Sequence, residues 1–133
     1  MAIQIGILTV SDRCSTGTAV DTSGPAIRKM LLQYNSNYII DNKMVPDDIN
    51  AIQTAVLHWC DHLHYNAIFT TGGTGFAIRD TTPEAITPLL HRLTPGIVTQ
   101  MLTQSLKVIL IMYMINNLYW CYNYDKGRGD DAS

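Results

Sequence analysis

Three short apolar segments alternate with stretches of helical period, and that alternation limits this chain's fold more than any other feature. Ile3–Val10 reads as a buried strand, short, β-branched and apolar on both faces towards its end. Tyr38–Val45 reads as a second strand, weakened by Asp41, Asn42 and Lys43, and Asn66–Thr70 as a third. Between the first two, Gly24-Pro25 opens a helix, with Pro25 suited to a first turn. Ile27, Met30, Leu31 and Tyr34 are expected on its apolar face, with Arg28, Lys29 and Gln33 facing out. Pro46-Asp47-Asp48 ends the second strand and starts another helix, in which Ile49, Ile52, Val56, Trp59 and Leu63 are spaced 3, 4, 3, 4 along one face. Further on, Thr82 is expected as an N-cap and Pro83 as the first helical residue. This helix carries Ile86, Leu89 and Leu90, with a kink or short turn at Pro88. Gly96–Leu106 reads as one more helix. The order predicts an α/β fold with a mostly parallel sheet and helices on both faces. Right-handed crossovers then bring the strand C-termini to one edge.

Composition removes several classes of function. A chain of 133 residues, 47% hydrophobic and 15% charged, fits one globular domain. Nine Lys and Arg stand against eleven Asp and Glu, for a net charge of -2, and the basic residues form no stripe. Nucleic acid and anionic membrane surfaces are therefore not expected partners. Cys14, Cys60 and Cys121 lie far apart without metal-type spacing, which fits a reducing, cytoplasmic setting. Met1–Val10 lacks the positive start and small-residue cleavage site of a signal peptide. The most hydrophobic window, Val108–Ile115, is too short to span a bilayer.

Chemistry collects at the ends of the expected strands: Ser11-Asp12-Arg13, Pro46-Asp47-Asp48, and the loop of Thr70, Thr71, Gly72, Gly73, Thr74 and Gly75. Ligands of open α/β sheets bind beyond the strand carboxyl ends. The glycine loop offers close backbone N–H groups and threonine hydroxyls to a phosphate, or is a plain turn. It lacks the Gly-Lys-Ser/Thr of a P-loop, and its spacing and position do not suit a dinucleotide fingerprint. Asp80 precedes a helix and Asp47 starts one, so each is either a carboxylate favouring a helix dipole or a holder of Mg²⁺ beside the loop. His58 and His62 stand at i, i+4, but Trp59 and Leu63 hold the core face, so the histidines are expected on the solvated side rather than in a zinc site. Arg128-Gly129-Asp130 is read as a chance tripeptide.

Taken together, Thr9-Val10-Ser11-Asp12-Arg13, Asp21-Thr22-Ser23-Gly24-Pro25, Val45-Pro46-Asp47, Thr70–Gly75, Arg79-Asp80-Thr81-Thr82-Pro83-Glu84-Ala85 and Gln104-Ser105-Leu106 resemble the molybdopterin adenylyltransferase family, the gephyrin G-domain type. The resemblance implies a three-layer α/β sandwich that usually forms a homotrimer. It implies transfer of AMP from Mg-ATP to the terminal phosphate of molybdopterin, with the product passed to a molybdate-insertion partner or fused domain. It ties Asp47 and Asp80 to catalysis, and the chemistry makes them holders of magnesium and phosphate. Ser11, Asp12, Thr71, Gly72, Gly73, Thr74, Gly75 and Thr81 fall on the binding edge. Two other readings stay open: a non-catalytic molybdopterin-binding or oligomerising scaffold fragment, and a phosphate-binding α/β domain with a different substrate.

The resemblance stops after Lys107, so residues 1–107 are expected to form a partial domain and residues 108–133 a non-matching tail. The fold is then incomplete at its C-terminus, against roughly 150 residues for a full domain. Val108–Ile115 has strand character and is expected either to occupy the orphaned sheet edge or to promote aggregation. Valine codons begin with GT, so a translated intron is one expected origin of the tail.

Overall fold

The computed structural model describes residues 2–73, 78–90 and the backbone of 119–122. The sheet has the order β2-β1-β3-β4. Its strands are β1 (Gln4–Val10), β2 (Ile39–Val45), β3 (Ala67–Thr71) and β4 (Tyr119–Tyr122). β1 pairs in parallel with β2, from Gln4 against Ile39 to Val10 against Val45, and with β3, from Ile5 against Ala67 to Thr9 against Thr71. β4 runs antiparallel to β3. The α/β fold with helices on both faces is therefore present, and it matches the expectation from alternation.

Period-two alternation in β1 sorts the core into two faces. Ile5 and Ile7, with Ile40, meet Ile27, Leu31 and Leu32 of α2 (Ser23–Tyr34). Leu8 and Val10 face the other way, against Ile52, Val56 and Trp59 behind β1 and Ala85 and Ile86 of a later helix. Ile52, Val56 and Ala55 belong to α3 (Ile49–Leu57), and Trp59 to the π-helical turn His58–His62 that continues it. The ends of the expected apolar face turn out to be exposed, Ile49 at 40% and Leu63 at 42%, at the first residue of α3 and just past the π-helical turn.

α2 also differs in rotation. Met30 and Tyr34, expected inside, are 69% and 84% exposed. Gly24 packs against Thr9, and Arg28 donates to the Ile40 carbonyl at 2.6 Å and to Asn42 Oδ1 at 3.3 Å. These anchors turn the helix so that Ile27, Leu31 and Leu32 reach the sheet, and Tyr34 stacks on Tyr38 instead. Arg28, Lys29 and Gln33 are exposed, as expected.

Two local expectations shift, and a third, the turn at Pro88, is met. The polar stretch after β1 contains one helical turn, α1 (Asp12–Ser15), which Ser11 caps by accepting from Cys14 N at 3.2 Å. α4 (Thr82–Ile86) has Thr81, not Thr82, at its N-cap position, because the Thr82 hydroxyl is drawn to the Gly72 carbonyl. At Pro88 the helix has already passed into a 3₁₀ turn, Thr87–Leu89, the consequence of a proline inside a helical pattern. The expected helix Gly96–Leu106, the strand-like Val108–Ile115 and the boundary at 107 lie outside the described residues.

Gly6 lies directly under the Trp59 ring, and a Cβ there would stand 2.5 Å from Trp59 Cε3. Trp59 in turn stacks on Tyr65, whose hydroxyl donates to the Asp41 carboxylate of β2. Burial, then that carboxylate, pushes the Tyr65 hydroxyl up to about 12, so this tie is insensitive to pH near neutrality. Gly6→Ala is expected to cost about 1–3 kcal/mol through overpacking, read from urea denaturation. Combined with Trp59→Leu it should lose less than the sum of the two single changes, since both act on one contact.

Candidate functional site

The chain leaves β1 sideways to β2, then crosses back past β1 to β3, so the strand order reverses between β1 and β3. That reversal opens a crevice at the carboxyl edge of the sheet. A cleft of about 290 Å³ lies there, and its walls include Ser11, Asp21, Asp47, Gly72, Gly73 and Asp80. Cys14, Thr22 and Thr71 also line it.

The β1 and β2 ends are tied by a reciprocal pair. Asp12 N donates to Asp47 Oδ2 and Asp47 N donates to Asp12 Oδ1, both at 3.0 Å. Ser11 N donates to the Val45 carbonyl at 2.9 Å and brings the two turns together. Two carboxylates side by side repel unless each is compensated. Asp12 is compensated: Arg79 Nε donates to its Oδ2 at 2.6 Å. That guanidinium, then the Asp47 backbone N–H, hold the Asp12 carboxyl below its usual value.

Asp47 is not. Burial pushes its carboxyl above the usual value, against the pull of the Asp12 N–H, and the neighbouring Asp12 and Asp80 charges add to the rise. Its Oδ1 is buried with no hydrogen-bond partner among the described residues. A buried, unpartnered carboxylate oxygen is costly and calls for a cation or a donor.

The glycine loop supplies the facing wall. Gly72 and Gly73 have φ of 91° and 66°, the left-handed region that favours glycine. A Cβ on Gly72 would strike the Val10 carbonyl, and one on Gly73 would strike the Thr82 hydroxyl and stand 3.0 Å from Asp47 Oδ1. Thr82 clamps the loop: its Oγ1 donates to Gly72 O at 2.9 Å and its N to Gly73 O at 3.0 Å. Thr74 and Gly75 lie outside the described residues.

Of the residues expected at the site, Ser11, Asp47, Thr71, Gly72, Gly73 and Asp80 share the cleft wall. Asp12 stands behind that wall, bonded to Asp47. Thr81 sits at the start of α4, its hydroxyl buried without a partner among the described residues. The sequence reading gave Asp21 and Arg79 no role. Asp21 Oδ1 accepts from Gly24 N at 3.0 Å and its Oδ2 from Thr9 Oγ1 at 2.8 Å, so it caps α2 from the cleft wall. An Asp three residues before a helical glycine is a sequence signal of such a cap. Arg79 has only its adjacency to Asp80 as a signal.

Asp47 and Asp80 both line the cleft, near enough for the Asp80 charge to act on Asp47, and two such carboxylates fit a hard divalent cation that takes its remaining ligands from water and phosphate. No group of three or more His, Cys, Asp or Glu side chains able to hold a metal occurs among the described residues. His58 and His62 stack with ring centroids 5.4 Å apart and are exposed, on the solvated side as expected. No helix among the described residues is long and apolar enough to cross a membrane.

Residues 6–117 match the family described as "Probable molybdopterin binding domain". Gephyrin of Dictyostelium discoideum is 49% identical over 113 residues, which cover 78% of this chain and 16% of that protein. Molybdopterin adenylyltransferase of Helicobacter pylori is 38% identical over 108 residues, 80% of this chain and 61% of that protein. Among solved structures, the molybdopterin biosynthesis enzyme MoaB of Thermus thermophilus superposes with a TM-score of 0.69 at 39% identity, over 74% of this chain and 62% of that one. The chain thus spans less than two thirds of each.

The electrostatics of Asp47 give a test of sign. A carboxyl whose folded pKa lies above its ordinary 3.8 favours the fold when protonated. Its stabilising contribution is complete below that ordinary value and is lost as pH rises through the raised one. Asp47→Asn keeps an acceptor for Asp12 N and removes the buried charge. Its thermal midpoint should exceed that of the parent chain at pH 7, and the gap should close on acidification towards pH 3.8.

Proposed function

The chain belongs to the "Probable molybdopterin binding domain" family, and from that membership we propose that its cleft binds molybdopterin and ATP and transfers AMP to the terminal phosphate of the pterin. The observation that carries the reading is the buried Asp47 Oδ1, without a partner among the described residues and close to left-handed Gly73, with Asp80 lining the same cleft. Relatives named for molybdopterin adenylyltransferase and gephyrin support the same setting, molybdenum cofactor biosynthesis.

In the proposed reaction an oxygen of the pterin's terminal phosphate attacks the α-phosphorus of ATP. The bond from that phosphorus to the bridging oxygen of the β-phosphate breaks, and pyrophosphate leaves with the electron pair. A phosphomonoester has a second pKa of about 6, so near neutral pH the attacking group is mostly a dianion and needs little general-base help. The harder task is to hold two polyanions in line. Asp47 and Asp80 would hold magnesium, which supplies charge neutralisation between the phosphates. The Gly72–Gly73 turn brings backbone close to the phosphate, and Ser11 adds a hydroxyl. Asp12 fixes the Asp47 carboxylate through the bond from its N–H to Oδ2, while Oδ1 has no donor among the described residues. A homotrimer and transfer of the product to a molybdate-insertion partner extend this proposal.

The test uses the full chain with Mg-ATP and molybdopterin, following pyrophosphate release and the adenylylated pterin. Asp80→Asn should slow both by about a hundredfold or more, the usual effect of removing one charge-stabilising group. An unchanged rate would remove Asp80 from the chemistry. Molybdopterin binding without pyrophosphate release would favour the scaffold reading. Binding of a different nucleotide ligand with no pterin affinity would favour another substrate.

A further inference from the structure

We propose that Arg79 is a phosphate-binding residue at the rim of the cleft, which holds the β- and γ-phosphates of the nucleotide and then the pyrophosphate that leaves. The inference rests on the AMP-transfer reading for the identity of the ligand, but its geometry stands apart from that reading.

Arg79 is fixed at one end only. Its Nε donates to Asp12 Oδ2 at 2.6 Å, and Asp12 is itself held, because its Oδ1 accepts from Asp47 N at 3.0 Å. A guanidinium is planar, so a bond at Nε to an anchored carboxylate limits the swing of the whole fork. Both Nη atoms, with four of the five N–H donors, have no acceptor among the described residues, and the side chain is 68% exposed. Arginine–carboxylate ties are frequently two-bond forks, which are stronger. Here the tie uses one bond and leaves the fork open towards solvent.

Its place beside the cleft makes that fork useful. Arg79 directly precedes Asp80, which lines the cleft, and is bonded through Asp12 to Asp47, which also lines it. Among the described lining residues are three carboxylates, Asp21, Asp47 and Asp80, and no Lys, Arg or His. A triphosphate entering such walls needs cationic partners. In the proposed reaction Asp47 and Asp80 are the residues that would hold magnesium, which leaves the phosphates' further charge to other partners. Arg79 does not itself line the cleft but is joined to it through Asp12 and Asp80, and in this proposal its exposed fork takes the distal phosphates. Charge-assisted forks recognise phosphate oxygens two at a time, which separates a triphosphate or pyrophosphate from a monophosphate.

Titration calorimetry of the full chain with Mg-pyrophosphate, Mg-ATP and AMP tests this without turnover. Arg79→Ala should weaken pyrophosphate and ATP binding by about tenfold to a hundredfold, as loss of charged hydrogen bonds does, and weaken AMP binding by a clearly smaller factor, the part that comes through Asp12. Arg79→Lys keeps a cation and loses the fork. It should weaken pyrophosphate by a smaller factor, and it decides the matter if the alanine variant fails to fold. Equal losses for ATP and AMP, or no loss for pyrophosphate in either variant, overturns the inference. A parent chain that binds pyrophosphate through Arg79 but forms no adenylylated pterin would keep this inference and sink the AMP-transfer reading. A chain that adenylylates the pterin while Arg79→Ala binds ATP as the parent does would do the reverse. Failure of the parent to bind either ATP or pyrophosphate overturns both.

Discussion

The exchange of backbone N–H bonds between Asp12 and Asp47 is the constraint on which the cleft depends. Each residue begins the turn after a parallel strand, and each carboxylate accepts the other's N–H. The strands supply the register: Val10 lies opposite Val45, so both chains leave the sheet at the same level. Without the exchange, two turns of equal charge would separate. With it, one oxygen of each carboxylate is committed to the fold. The two remaining oxygens have different fates, since Arg79 takes that of Asp12 and nothing among the described residues takes that of Asp47.

The glycine turn depends on the same corner. Gly72 passes so close to the Val10 carbonyl that no side chain fits, and Gly73 packs between Val10, Asp47 and Thr82. Both glycines are in the left-handed region, which a residue with a Cβ enters at a cost of about 1–2 kcal/mol. Glycine avoids that cost, and Thr82 holds the turn by two bonds to the loop, one from its hydroxyl and one from its N–H. The start of α4 is therefore a fastener for the loop rather than a free helix end. This explains why Thr82 is wholly buried while Glu84, two residues on, is exposed.

Much of this was legible in the chain because hydrophobic period fixes elements before tertiary contact does. The parallel strands, the helices over both faces and the gathering of strand ends follow from Ile5, Ile7, Leu8 and Val10 filling both sides of β1. What was not legible came from contacts between distant residues. Period alone puts Met30 and Tyr34 on the inner side of α2, but Gly24 on Thr9 and Arg28 on Ile40 rotate the helix away from them. Local rules make Thr82 a cap, but a carbonyl ten residues earlier takes its hydroxyl. Asp21 could have been read as a cap from its spacing to Gly24, whereas Arg79 reaches Asp12 across 67 residues, a distance that no local pattern encodes.

The cleft is built to be incomplete. Its described walls carry carboxylates and hydroxyls but no cation, in a chain with a net charge of -2. Long-range attraction therefore does little to draw in a polyanion, and recognition has to come from short-range features: close glycine backbone, hydroxyl donors and cations held at fixed points. Burying Asp47 is unfavourable to the fold by itself, as its raised pKa shows. An asparagine there would still accept from Asp12 N, though more weakly, and would leave no charge in a desolvated corner. The retained carboxylate makes sense when a positive partner arrives with the ligand, because the repulsion among Asp12, Asp47 and Asp80 then becomes attraction for that partner. Arg79 neutralises Asp12 and leaves Asp47 available, which keeps the cluster folded before any such partner is bound.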